Sequence, residues 1–120
     1  MLPKKNRADK KAIEKIFKEG RFVNSPNLTL KFVYLPLHDS PQVSALVPKT
    51  AVKKASARNL LRRRAYEVLK KYIQQLPAQF TGALVFGKRS AAVFGGRKTK
   101  IYNPIQNLEH ELTIILNKLH

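Results

Sequence analysis

There is no cysteine among the 120 residues. Disulfides and thiolate metal sites are therefore excluded, which argues against a secreted disulfide scaffold but leaves the compartment open. Acids are scarce as well, seven Asp and Glu against 24 Lys and Arg. They are Asp9, Glu14, Glu19, Asp39, Glu67, Glu109 and Glu111. Metal-dependent nucleases gather several carboxylates around one or two Mg²⁺ ions, and no such group can be assembled here. Glu109 and Glu111 lie two apart on a helical pattern and so point about 160° away from each other. His38, His110 and His120 have no obvious acid or nucleophile partner for catalysis and read as exposed polar residues. Neither a catalytic side chain nor a metal site follows from the pattern. Long apolar runs are missing too, none approaching the ~20 residues of a membrane-spanning helix. The start, MLPKKNRADKK, has no apolar stretch behind it, so no signal peptide is expected. These absences lead us to expect a soluble, cytoplasmic protein without a membrane or small-molecule partner.

What is present is a core and a large excess of positive charge. The apolar fraction is 43%, enough for one ordinary domain over residues 1–120. The net charge of +17 costs stability through self-repulsion, and a bound polyanion would relieve it. Nucleic acid is the leading candidate and an anionic membrane the second.

The apolar pattern places the elements. Ile13, Ile16 and Phe17 have helical spacing within about Asp9 to Lys18, and Gly20 supplies a stop. The β-rich run LTLKFVYL lies between Pro26 and Pro36, with a further short strand near Phe22. His38 to Gln42 reads as a turn, and Val43 to Val47 as a strand paired antiparallel with the run before it. A long helix is expected from about Ser56 to Gln75, with Leu61, Ala65, Val68, Leu69 and Tyr72 facing the sheet. Pro77 ends it. Gly82 to Phe86 is a nearly continuous apolar strand, hence a central one. A basic loop follows with Lys88, Arg89, Gly95, Gly96, Arg97, Lys98 and Lys100. Its glycine pair resembles a phosphate-cradling loop only loosely, and a plain surface turn explains it equally well. Asn103 and Pro104 form an N-cap and first-position pair opening a last helix with Ile105, Leu108, Leu112, Ile115 and Leu119 on one face. The predicted fold is α+β, a small mixed sheet packed with helices in the order α-β-β-β-α-β-α.

The segment Lys49 to Lys71 carries the functional signal. It holds nine Lys and Arg residues against one acid, Glu67. Solvated helices normally mix signs at i, i+4; this one is a cationic rod. Asn59, Arg62, Arg63 and Lys70 share a sector beside the apolar one, with Arg58 and Tyr66 at its edges. Arginine grips phosphate bidentately and stacks on bases, which suits such a face to a polyanion.

The run VPKTAVKKASARNLLRRRAYE, residues 47–67, resembles the signature of the bacterial ribonuclease P protein component. That pattern is a strand ending near Val-x-Lys-Lys, a short connection, then Arg-Asn-Arg-x-Lys-Arg-x-x-Arg-Glu. Lys49 matches the strand-end lysine, Arg58 and Asn59 the first two helix positions, Arg62 the lysine, Arg63 the next arginine and Glu67 the glutamate. IFKEG at the end of the first helix, the later strand with Lys88 and Arg89, and the final amphipathic helix also have counterparts. In all, about four-fifths of the chain can be placed. Three positions depart: Leu60 and Tyr66 replace arginines, and Thr50 replaces a lysine. Arg64, one step from the first gap, is the nearest compensating cation.

The resemblance implies a fold of the ribosomal protein S5 domain 2-like type, with a left-handed βαβ crossover. It also implies the function: a protein subunit that assists a catalytic RNA in removing the 5′ leader of precursor tRNA, with Mg²⁺ held mainly by RNA and substrate. The RNA-binding residues so implied are Lys49, Lys53, Lys54, Arg58, Asn59, Arg62, Arg63, Tyr66, Lys88 and Arg89. A cleft between the first helix and the sheet would take the single-stranded leader. Ile13 and Phe17 match the leader-contacting aromatic positions there, and Lys31 stands near a third. For Ile13 and Phe17 the alternative is core packing, since apolar helical spacing usually means core. For the whole chain the alternative is a structural RNA-binding protein, of ribosomal type, with no catalytic partner. A nuclease acting alone is disfavoured by the scarcity of carboxylates.

Overall fold

In the computed structural model, which describes residues 6–36, 39–97 and 99–119, the first helix forms where the sequence sets it. His38, Lys98 and His120 lie outside the described residues. Helix α1 (Lys10–Glu19) starts at Asp9, whose carboxylate accepts the Ala12 N–H at 2.8 Å, satisfying one of the first-turn donors. It ends at Gly20, where a Cβ would lie 2.4 Å from the Ile16 carbonyl oxygen and 3.0 Å from that of Phe32. Only glycine fits that approach.

Strands β1 (Arg21–Asn24) and β2 (Leu28–Tyr34) then form an antiparallel hairpin. Strand β3 (Gln42–Leu46) leads to helix α2 (Ala55–Tyr72), which closes in a 3-10 turn at Ile73–Gln75. Strand β4 (Phe80–Phe86), a five-residue helix α3 (Ser90–Phe94) and helix α4 (Pro104–Lys118) complete the chain. Asn103 caps α4 by accepting the Gln106 N–H, with Pro104 at the first helical position. Helix α3 falls within the expected basic loop. Its Phe94 is fully buried and packs edge-on to Phe86 at 5.9 Å.

The sheet order is β1-β2-β4-β3. This corrects the expected antiparallel pairing of β2 with β3: β4 lies between them, antiparallel to β2 and parallel to β3. The reason lies in β4 itself. Six of its seven residues are buried, so it has no face to give to water and needs a neighbour on each edge. The β3–α2–β4 segment is thus a crossover between adjacent parallel strands.

One sheet face carries the main core. Leu28, Leu30 and Phe32 of β2, Val43 and Ala45 of β3, and Phe80, Leu84 and Phe86 of β4 pack beneath Leu61, Ala65, Val68 and Leu69 of α2 and Leu108, Leu112 and Ile115 of α4. Each fully buried large side chain contributes roughly 1.5–3 kcal/mol. The other face is covered by α1, through Ala12 and Ile16. Ser44 Oγ donates to the Ala8 carbonyl at 3.0 Å, seating the start of this helix over β3.

Two polar ties fix the ends of these layers. Glu111, buried on α4, accepts from Ser25 Oγ (2.6 Å), the Asn27 N–H (2.7 Å) and Asn27 Nδ2 (2.8 Å). It thereby holds the β1–β2 turn against the last helix. Tyr66, expected at the edge of the cationic face, is instead buried, and its hydroxyl accepts the Ala45 N–H at 3.1 Å. That amide belongs to β3, an edge strand, whose outward donors have no strand partner. The ring packs into the core and the hydroxyl closes the edge. Tyr66 thus serves the fold rather than standing exposed at the edge of the cationic face.

Glu111→Ala is expected to lower stability by about 2–4 kcal/mol, because it orphans three donors of one turn, whereas exposed Glu14→Ala stays within about 0.5 kcal/mol. Urea denaturation of both variants checks this. Tyr66→Phe should cost about 1–2 kcal/mol with no change in RNA affinity, measured by denaturation and filter binding on the same preparations.

Candidate nucleic-acid interface

The parallel pairing of β3 and β4, with Leu46 beside Val85, brings their C-terminal ends side by side. Both basic loops leave from that end. After β3 the chain turns at Pro48, whose carbonyl accepts the Ala51 and Val52 N–H groups at 3.0 Å each. Lys49, Lys53 and Lys54 of this loop are exposed. Arg58 ties the loop to the helix: its Nη1 donates to the carbonyls of Val52 (3.0 Å) and Lys53 (2.7 Å). Helix α2 begins with Lys54 in the cap position and no side-chain cap bond. Its first N–H groups and positive dipole end therefore add to the lysine charge. After β4, Gly87 donates its N–H to the Asn27 carbonyl at 2.9 Å, and Lys88 and Arg89 follow, both exposed.

Along α2, Asn59, Arg63 and Lys70 are exposed, and half-buried Arg62 donates from Nη2 to Asn59 Oδ1. That bond holds the guanidinium along the helix surface. Leu60 is half-buried. Arg64 does not fill the gap it leaves, since its Nη1 donates to the carbonyls of Phe94 (2.6 Å) and Gly96 (2.8 Å). It is a clamp on the end of α3. The Gly95–Gly96 turn is likewise structural: Gly95 closes α3, and a Cβ on Gly96 would lie 2.9 Å from the Tyr102 ring.

Among the described residues, the ion pair made by α2 is Lys71 with Glu109 of α4, at 3.5 Å and at the far end of the helix. The Tyr72 hydroxyl donates to the same carboxylate at 2.8 Å. This bond, with the Lys71 charge behind it, holds the Glu109 carboxyl below its usual range; the same bond to a carboxylate raises the Tyr72 phenol. Among the described residues no acid pairs with the cations of the first turns; Arg63 is exposed, while Arg58 and Arg62 are half-buried.

The second sheet face holds the expected cleft residues together. Lys31 Nζ lies 4.7 Å from the centre of the Phe17 ring, a cation–π contact. Phe17 is 47% exposed, so it is not a core residue; Ile16, at 0%, fills that role on α1. Ile13 is half-buried beside them. Phe22, read from sequence only as part of a short strand, sits directly across from Lys31 and is 60% exposed. Only the strand register brings it there. Beyond α1 the face stays open at Thr29, Val85 and Leu46, all half-buried, and Lys88 and Arg89 rim the adjoining depression.

The acids do not converge. Asp9 caps α1, Glu111 holds the β1–β2 turn and Glu109 joins α4 to α2. Among the described residues, no group of three or more His, Cys, Asp or Glu is placed to share a metal ion. No helix of the described residues is long and apolar enough to cross a membrane.

Comparison with curated protein sequences gives no match. Solved structures do match. The RNase P protein from Thermotoga maritima superposes with a TM-score of 0.76 at 19% identity, covering 95% of this chain and 97% of that one. The RNase P protein of Staphylococcus aureus gives 0.73 at 17% identity, covering 95% and 94%. A mutant of the Staphylococcus aureus protein with defective mRNA degradation activity gives 0.75 at 18%, covering 95% and 87%. At these identities the superpositions establish the fold, including the mixed four-stranded sheet. The Ribonuclease P family profile matches residues 2–119, and with so nearly complete a match the chain belongs to the ribonuclease P protein family.

Proposed function

We propose that this protein is the protein subunit of a ribonuclease P holoenzyme. In this reading it binds the catalytic RNA and the 5′ leader of precursor tRNA, and so assists endonucleolytic removal of the leader in the cytoplasm. The observation that carries the proposal is the uncompensated cationic surface formed by two loops at one end of a parallel strand pair and the first turns of α2. Lys49, Lys53, Lys54, Arg58, Asn59, Arg62, Arg63, Lys88 and Arg89 belong to it; Tyr66 does not. Such a surface tracks a phosphate backbone, with arginine adding bidentate and stacking contacts. The leader would lie on the other sheet face, against Ile13, Phe17 and Lys31, where exposed aromatic carbon and a cation adjoin. Cleavage chemistry would come from Mg²⁺ held by the RNA and the substrate; Asp9, Glu109 and Glu111 serve structural ties, and among the described residues no three acids or histidines gather to share a metal ion.

The test is cleavage of a precursor tRNA at low Mg²⁺ with a bacterial RNase P RNA, with and without the protein. Cleavage is expected only with both components. Cleavage by the protein alone would overturn the assignment of chemistry to RNA, and tight RNA binding without stimulation by a cognate RNA would favour a structural RNA-binding role. In the assembled system, Arg62→Ala with Arg63→Ala should weaken protein–RNA affinity and reduce the slope of log K against log salt by about one to two. An unchanged slope would remove this face as the docking surface.

A further inference from the structure

Strand β1 turns its two apolar side chains to opposite sides. Val23 packs against the main core, whereas Phe22 emerges on the other face and is 60% exposed. A single exposed phenylalanine is ordinary, but this one has specific neighbours. Its cross-strand partner is Lys31, and directly opposed residues of an antiparallel pair project side by side with Cβ atoms roughly 5 Å apart. Lys31 in turn lies over the Phe17 ring, which is 47% exposed. The result is a contiguous ring–cation–ring surface on the face that α1 leaves partly open. Phe22 contributes nothing visible to the core, and β1 is an edge strand, so the fold does not account for the ring.

We propose that Phe22 is a nucleobase-stacking residue that holds an unpaired base of the 5′ leader beside Phe17, with Lys31 between them neutralising the leader's phosphate. This rests on the leader-cleft reading given above and adds to it a residue that the family pattern did not supply. The chemistry fits single-stranded RNA: aromatic faces accept any unpaired base, while the interleaved cation serves the backbone. It also gives a role to Lys31, which stands near an aromatic position of the family pattern. The ring missing at that site is provided one strand over, on the same face.

The experiment uses holoenzyme assembled with a bacterial RNase P RNA. Binding is measured to a precursor tRNA with a short single-stranded leader and to the same tRNA without it. Phe22→Ala should weaken binding of the leader-bearing substrate about tenfold, within the range for one lost stacked base, and leave the leaderless tRNA unchanged. Phe22→Tyr, which keeps the ring, should restore the affinity. If Phe17→Ala weakens leader-dependent binding and Phe22→Ala does not, the role of Phe22 is overturned while the cleft stands. If neither variant changes it in a complex that still cleaves, the cleft reading falls as well. An equal loss on both substrates would show that Phe22 acts through docking or folding, which also overturns the proposal.

Discussion

The burial of β4 on both faces is the condition on which the rest of this structure depends. With almost no surface of its own left in water, the strand requires β2 on one edge, β3 on the other, α2 and α4 above it and α1 below. Those demands place the two basic loops at one end of the sheet, because β3 and β4 run parallel. They also leave α1 alone on a face too broad for one ten-residue helix to cover. The cationic surface and the open cleft are both by-products of housing one apolar strand.

Charge is handled by segregation. A chain at +17 gains little from scattering its few acids among its cations, where exposed pairs are worth at most about 1 kcal/mol. Instead Glu111 is buried at a junction where it satisfies three donors at once. Glu109 serves a contact between two helices. These two acids fix geometry, whereas most of the lysines and arginines stay at the surface, where they repel one another.

Much of this was legible in the sequence, and the failures have specific causes. Helix boundaries were readable because Asp9, Gly20, Asn103 and Pro104 carry their own signals, and the central place of β4 followed from its unbroken apolar run. The partner of β3 was not readable. Closeness in sequence favours a hairpin, and nothing local announces that a strand nearly forty residues later will intervene. Tyr66 was misplaced because a helical wheel gives direction but not depth: it stands at the border of the core, and whether a phenol there turns outward or reaches a strand edge depends on that edge being present. Helix α3 is too short to show a period, and the buried Phe94 was its one clue. Arg64 looked like a spare cation for the missing position, yet the carbonyls it holds belong to a helix the sequence did not reveal. On the α1 side of the sheet, Ile13 and Phe17 share one helix and their nearness is visible from spacing alone, but the place of Phe22 beside Lys31 needed the register of two strands.

The same insertion of β4 has a consequence for the order in which the molecule is made. As the chain emerges during synthesis, β1 and β2 can pair at once, but β2's other edge and the whole of β3 stay unpaired until Phe80–Phe86 arrives. The turn between β1 and β2 then waits for Glu111, separated from Ser25 by 86 positions. Contacts of such sequence separation are slow to close and leave edges exposed meanwhile. A chain this strongly positive repels its own copies during that interval. The excess charge thus guards the nascent protein before its fold exists to display it.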